Sequence, residues 1–251
     1  MTLDILGKLE EAIRDSSGDF APPTAWRFSN IGKCLRAQVL QRRNEVTPEP
    51  FSTNTRILFK VGNLLEPVVL SWLEKSGIQV ISNTDADRQV RAEAPEYDAR
   101  GSLDALGILD GEVFPIEIKS TRTRGLDFGL PYETHELQAT AYALFLGLSR
   151  SLICYVGRDG GVRLCWVYVT PEKEQRIKRE WAELSRYFLS GEIPPVKPLV
   201  QATKKVKGVS VPFLYERDGA WGKAGDPKME LDNECGRCSY QSHCWPAGEQ
   251  R

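Results

Sequence analysis

Two acids and a lysine near the middle of the chain have the spacing of a hydrolytic site. In the segment Gly101-Ser102-Leu103-Asp104 to Ile116-Glu117-Ile118-Lys119, the dipeptide Asp110-Gly111 marks a tight hairpin turn, because both residues tolerate positive φ. A two-residue turn there pairs Leu109 with Glu112 and carries Asp104 opposite Glu117. Directly opposed residues have Cβ atoms ~4.5–5.5 Å apart, where like charges repel. A cation held between the two carboxylates removes that penalty. Lys119 lies two residues beyond Glu117 and projects from the same face of the strand. Together they make a place where a hydrated divalent cation and a nucleophilic water meet. The competing interpretation is an exposed salt-bridge cluster. The apolar flanks Phe114, Pro115, Ile116 and Ile118 argue for a central strand, where idle charge is costly.

The second chemical signal is thiol. Cys235-x2-Cys238-x5-Cys244 stands near the end of the chain and Cys34 stands alone near its start. Four thiolates complete a tetrahedral zinc site or hold an iron–sulfur cluster, and composition leaves both open. Cys154 and Cys165 lie in apolar strand-like segments. If Asp159-Gly160 forms a two-residue turn, these two face each other as buried free thiols. His135 and His243 are the only histidines. His135, one helical turn before Gln138, approaches a phosphate or is a solvated helix-start residue.

The elements that must position these groups follow from periodicity. Helical spacing covers 3–14, 57–75, 135–148 and 171–189. In the second of these, Leu65, Val68, Val69, Trp72 and Leu73 form the apolar side, and Pro67 should start or kink the helix. Strand patterns cover 78–82, 89–92, 101–108 and 113–119, followed by a hairpin of 152–157 with 162–169. Strands alternating with helices make an α/β core. The expected division is an N-terminal helical segment with the first cysteine (1–56), the core (57–190) and a tail with the cysteine cluster (191–251).

The 251 residues are 41% hydrophobic and 27% charged, ordinary values for a globular chain. With 33 Lys plus Arg against 34 Asp plus Glu, the net charge is −1, which excludes nucleic-acid binding by bulk charge. The start of the chain lacks a secretion signal, and no stretch reaches transmembrane length. The expectation is a cytoplasmic protein with no membrane partner.

Gly101-x-x-Asp104 followed by Glu117-x-Lys119 resembles the core of the PD-(D/E)XK nuclease superfamily. Downstream, Gln138-x-x-x-Tyr142 resembles the Q-x-x-x-Y motif of its RecB-like branch. Upstream, Gly62-x-x-x-Glu66 falls where that branch usually has Gly-x-x-x-His; phage-type exonucleases place Glu there. One early cysteine, a nuclease core and then C-x2-C-x5-C is similar to the iron–sulfur RecB-like exonucleases, among them the CRISPR-associated ones.

The resemblance implies a restriction-endonuclease-like central mixed sheet flanked by helices, with the N-terminal segment and the C-terminal tail joined by a metal cluster. It implies Mg²⁺ or Mn²⁺ on Glu66, Asp104, Glu117 and the Ile118 carbonyl, and catalytic roles for Asp104, Glu117, Lys119, Gln138 and Tyr142. A [4Fe–4S] cluster on Cys34, Cys235, Cys238 and Cys244 is favoured over structural Zn²⁺. The implied activity is an exonuclease hydrolysing phosphodiester bonds of single-stranded DNA or DNA ends, working with recombination or CRISPR-adaptation proteins. Phosphate contacts are expected from Arg36, Arg42, Arg43, Arg122 and Arg124, and base stacking from Trp26, Tyr132 or Trp221. Two other classes remain: a catalytically silent DNA- or protein-binding module on a nuclease fold, and a zinc-stabilised endonuclease.

Overall fold

In a computed structural model that describes residues 5–15, 21–82, 90–127, 129–196, 202–206, 209–213, 234–235 and 238–244, the chain opens with α1 (Ile5–Asp15), β1 (Trp26–Arg27), α2 (Leu35–Arg43) and α3 (Thr53–Lys75). Strands β2 (Gln79–Ile81), β3 (Arg91–Ala94), β4 (Ala99–Ser102), β5 (Ala105–Leu109) and β6 (Glu112–Thr121) follow. Then come α4 (Glu133–Phe145), β7 (Arg150–Gly157), β8 (Val162–Tyr168) and α5 (Pro171–Ser190). The tail adds β9 (Ala202–Val206), β10 (Val209–Phe213) and the single turn α6 (Gln241–Cys244).

The main sheet has the order β2-β5-β6-β7-β8, with β6 and β7 parallel and the other pairs antiparallel. A smaller sheet, β1-β4-β3, is also mixed. This is the restriction-endonuclease-like α/β arrangement, a central mixed sheet flanked by helices. Its middle strand β6 pairs with β5 over Glu112–Ile116 and with β7 over Ile116–Thr121, the stretch that carries Glu117 and Lys119.

The first hairpin forms as the sequence predicts. Asp110 and Gly111 have φ of 52° and 80°, and pairing runs from Leu109↔Glu112 to Ala105↔Ile116. The single strand expected over 101–108 is two strands. β4 belongs to the small sheet, and the chain crosses to the main sheet through Leu103 and Asp104 before β5 begins. Asp104 is therefore at a strand start, where its side chain rather than a backbone carbonyl receives the Ile118 amide (Oδ2, 2.6 Å).

The second hairpin differs from expectation by one residue. Its loop has three residues, closed by Gly157 N donating to Gly161 O (2.9 Å), so Cys165 pairs with Ile153 and Cys154 with Leu164. A one-residue slip moves a side chain to the other face. Cys154 packs with Val69 and Ile118 on one side of the sheet, while Cys165 lies against the cluster of Leu126 and Tyr155 on the other.

Helix α3 starts at Thr53, capped by Ser52 Oγ accepting from Thr55 N (3.2 Å), and runs through Pro67 without starting there. Val69, Leu70 and Leu73 are its buried residues. Val68 and Trp72, expected on the apolar side, are 41% and 48% exposed. Gly62 passes over β6, since a Cβ there would meet Ser120 Oγ at 3.7 Å. One helical turn later, Glu66 is brought over the middle strand.

Helix α4 is enclosed nearly all round. Leu137 to Ala143 are all buried, because the sheet covers one side and α5 with residues 26–39 covers the other. Trp26 is in that second layer at 2% exposure, so it is core rather than a stacking surface. Trp221 lies outside the described residues. Gly101 sits at the tightest point of the layer. A Cβ there would be 2.7 Å from Phe28 Cβ and 2.8 Å from a ring carbon of Tyr142. Gly101→Ala should therefore cost about 1–3 kcal/mol of stability by overpacking and displace Tyr142. A thermal melt alongside a cleavage assay checks both effects.

Candidate active site

Because Glu117 is on the central strand, it is 4% exposed. Its Oε1 is shared by Lys119 Nζ (2.6 Å) and Gln138 Nε2 (2.9 Å). Lys119 Nζ also donates to Gln138 Oε1 (3.0 Å). Gln138 Nε2 reaches Tyr142 OH at 3.4 Å, and that hydroxyl donates to the Ser102 carbonyl (2.7 Å). The i, i+4 pair on α4 thus ties the middle strand to the end of β4. Glu117 Oε2 is buried with no hydrogen-bond partner, an expensive state for a carboxylate oxygen unless something positive meets it.

The electrostatics agree. Burial, and then the neighbouring Glu117 charge, push the Asp104 carboxyl well above its usual range. Burial raises Glu117 as well, against the lowering pull of Lys119 and Gln138. Glu66 is raised by burial and by Glu117. Three acids disfavoured as anions, two of them raised further by the Glu117 charge, form a site short of positive charge. The orphaned Oε2 and the all-oxygen donor set fit a hard divalent cation such as Mg²⁺ or Mn²⁺. Glu66, Asp104 and Glu117 would hold it. Among the described residues, no three His, Cys, Asp or Glu side chains are already drawn around one point.

Lys33 is a neighbour of this site that sequence reasoning missed. Its side chain is exposed and Nζ donates to Asn30 Oδ1 (3.3 Å). Partial desolvation and then the Lys119 charge lower its pKa, with Glu234 and Glu117 opposing. Its only sequence signal was adjacency to Cys34. His135 donates to or accepts from Tyr155 OH (3.1 Å), and burial with the two lysines lowers it to about 4. It is a neutral, half-buried wall of the site rather than a phosphate-binding cation.

The four cysteines expected to act together line one small cavity, with Glu234 and Arg36 beside them. Cys238 N donates to Cys235 O (3.2 Å), and Cys238 Sγ accepts from Tyr240 N (3.4 Å). Burial raises the Cys238 thiol, and Cys34 and Cys244 add to the effect. Among the described residues no three of these thiols are drawn around one point. His243 is exposed on α6.

The arginines divide. Arg42 lies over the rings of Trp26 (4.3 Å) and Phe188 (4.4 Å), pairs with Asp98 and has a side chain only 8% exposed. Arg43 is 10% exposed beside Glu45 (3.7 Å). Arg36 donates to the Pro194 carbonyl (2.7 Å). These three guanidinium groups are turned into the protein. Arg122, three residues past Lys119, is exposed. The Arg124 side chain lies outside the described residues.

No known family's sequence profile matches the chain, and no curated protein matches it. It is similar in structure to the alkaline exonuclease LHK-Exo from Laribacter hongkongensis, at 14% identity over 72% of this chain and 95% of that one, with a TM-score of 0.48. It is also similar to SSO0001, at 15% identity over 75% of this chain and 86% of that one (TM-score 0.46). A phage related exonuclease from Haemophilus somnus 129PT is similar at 13% identity over 61% of this chain and 78% of that one (TM-score 0.45).

Proposed function

We propose that the protein is a metal-dependent deoxyribonuclease that hydrolyses phosphodiester bonds, acting as an exonuclease on single-stranded DNA or DNA ends. The observation that carries this reading is the buried Glu117 with its unpartnered Oε2, just past the last hairpin pair Ala105↔Ile116, near enough for its charge to raise Asp104, and bonded to Lys119. A silent binding module has no reason to bury such a group. The exonuclease part rests on the resemblance of Gln138 and Tyr142 to the RecB-like motif.

In this reading Glu66, Asp104 and Glu117 hold Mg²⁺ or Mn²⁺, which supplies Lewis acidity toward the phosphoryl group when bound. Lys119 meets the negative charge that gathers on the phosphate oxygens in the transition state. Gln138 holds Lys119 and Glu117 in register, and Tyr142 anchors Gln138 to the Ser102 carbonyl. Cys34, Cys235, Cys238 and Cys244 hold a [4Fe–4S] cluster, with zinc as the alternative guest.

Two substitutions test the roles. Lys119→Ala should lower kcat by ~100-fold or more while KM for DNA changes little, as for loss of one transition-state charge partner. Glu66→Gln should raise the Mg²⁺ concentration for half-maximal cleavage. An unchanged metal titration removes Glu66 from the ligand set.

A further inference from the structure

Beyond Lys119, strand β6 runs into the wall of a groove of about 1,240 Å³. Small-molecule pockets are typically ~300–1,000 Å³, so the groove is sized for a segment of polymer. One wall is Thr121, Arg122 and Arg158; the other is the start of α3 with Leu58 and Phe59; Tyr132 stands at the α4 end. Phe59 is 53% exposed and Tyr132 38%. Phe59 is braced edge-on by Phe51, with centroids 5.3 Å apart and planes at 87°. Tyr132 is fixed by its hydroxyl donating to Gly125 O (3.2 Å) and by its amide donating to Tyr155 OH (3.2 Å).

The charge of the groove is one-sided. Arg158 donates weakly to Ser120 O and Oγ (both 3.3 Å). Among the described residues no carboxylate forms an ion pair with Arg122 or Arg158. Neighbouring Asp159 is occupied by Thr123 N (2.6 Å) and Oγ1 (2.5 Å). Glu49, the acid of the lining, accepts from Ser242 N (3.3 Å), and Glu49 N donates to Ser239 O (2.6 Å). Those two bonds pin the groove's far rim to the cysteine tail.

Braced, half-exposed aromatic rings beside guanidinium groups that form no ion pair among the described residues make a stacking platform in an electrostatic channel. The faces of interior duplex bases are covered by their neighbours and an end pair exposes only one, so two separate rings along a groove favour unpaired bases. We propose that this groove is the binding track for a single DNA strand entering the active site. Phe59 and Tyr132 stack on bases, and Arg122 and Arg158 contact phosphates. The inference rests on the nuclease reading and adds to it the form of the substrate and the residues that select it.

The test is binding of a fluorescent oligothymidylate, measured by anisotropy in EDTA so that nothing is cleaved. Phe59→Ala and Tyr132→Ala should each weaken binding roughly five- to hundred-fold, the span of one lost base–aromatic stack. Phe59→Trp should restore it. Arg158→Ala should lower the slope of log affinity against log salt by about one. Folded alanine variants that bind as tightly as wild type overturn the proposal, as does a blunt duplex that competes as well as the single strand. If an alanine variant fails to fold, Phe59→Trp and the Arg158→Ala salt slope decide the matter. A wild type that binds through these residues but never cleaves with metal counts against the nuclease reading alone. One that cleaves while ignoring Phe59 and Tyr132 counts against the groove alone.

Discussion

Asp104→Ala should abolish metal-dependent cleavage, and Glu117→Ala should do the same, each by ~100-fold at the least. The reasoning is electrostatic. Burial disfavours both carboxylates as anions, and the Glu117 charge adds to the effect on Asp104; a cation between them offsets that cost. Removing either acid halves the facing pair and leaves a metal with too few oxygens. Asp104→Asn separates function from folding. The amide oxygen can still accept from the Ile118 amide, which Asp104 Oδ2 now does at 2.6 Å, but the like charge is gone. Metal-free Asp104→Asn should therefore melt no lower than metal-free wild type while remaining inactive. A melt well below wild type would mean that Asp104 serves the hairpin rather than a cation.

Cys34→Ala should remove bound iron and lower thermal stability as much as Cys238→Ala does. The cavity they share joins α2's first turn to the C-terminal tail, so one ligated group closes a loop of most of the chain. A covalent cross-link over a loop that long removes ~4–5 kcal/mol of unfolded-state entropy, and ligation should act on the same scale. The tail also meets Glu49 through Ser239 and Ser242. Loss of the bound group should therefore loosen the groove rim and weaken strand binding. Cys154→Ala should leave iron unchanged, since Cys154 sits in the sheet core with Val69 and Ile118. Iron per chain across the three variants checks this. Full iron in Cys34→Ala contradicts four-cysteine ligation, and stoichiometric zinc without iron assigns the cavity to zinc.

Much of the site was legible because its geometry is local. Asp110-Gly111 sets the register of one hairpin, and i, i+4 spacing sets Gln138 against Tyr142. From those two facts the facing acids, the lysine and the helix pair follow. The second hairpin was less legible because Arg158-Asp159-Gly160-Gly161 offers two places for a turn. Gly160 and Gly161 both take positive φ, 120° and 85°, and the chain closes three residues rather than two. The sheet change at Leu103–Asp104 left no mark, since residues on both sides have strand-like patterning. The outward face of α3 was ambiguous for a similar reason: Val68 and Trp72 make one helical stripe, Val69 and Leu73 another. Tertiary contacts alone choose between them. Arg42 looked like a phosphate contact because nothing local announces the rings of Trp26 and Phe188 that enclose it.

The most direct test of the central claim is to incubate wild-type protein with end-labelled linear single-stranded DNA and with circular single-stranded DNA, each with Mg²⁺, with Mn²⁺ and with EDTA. Release of short products from the linear strand in either metal, with the circle intact and no release in EDTA, is the result expected of a metal-dependent exonuclease. Failure to cut either substrate in either metal, or cutting that persists in EDTA, contradicts it.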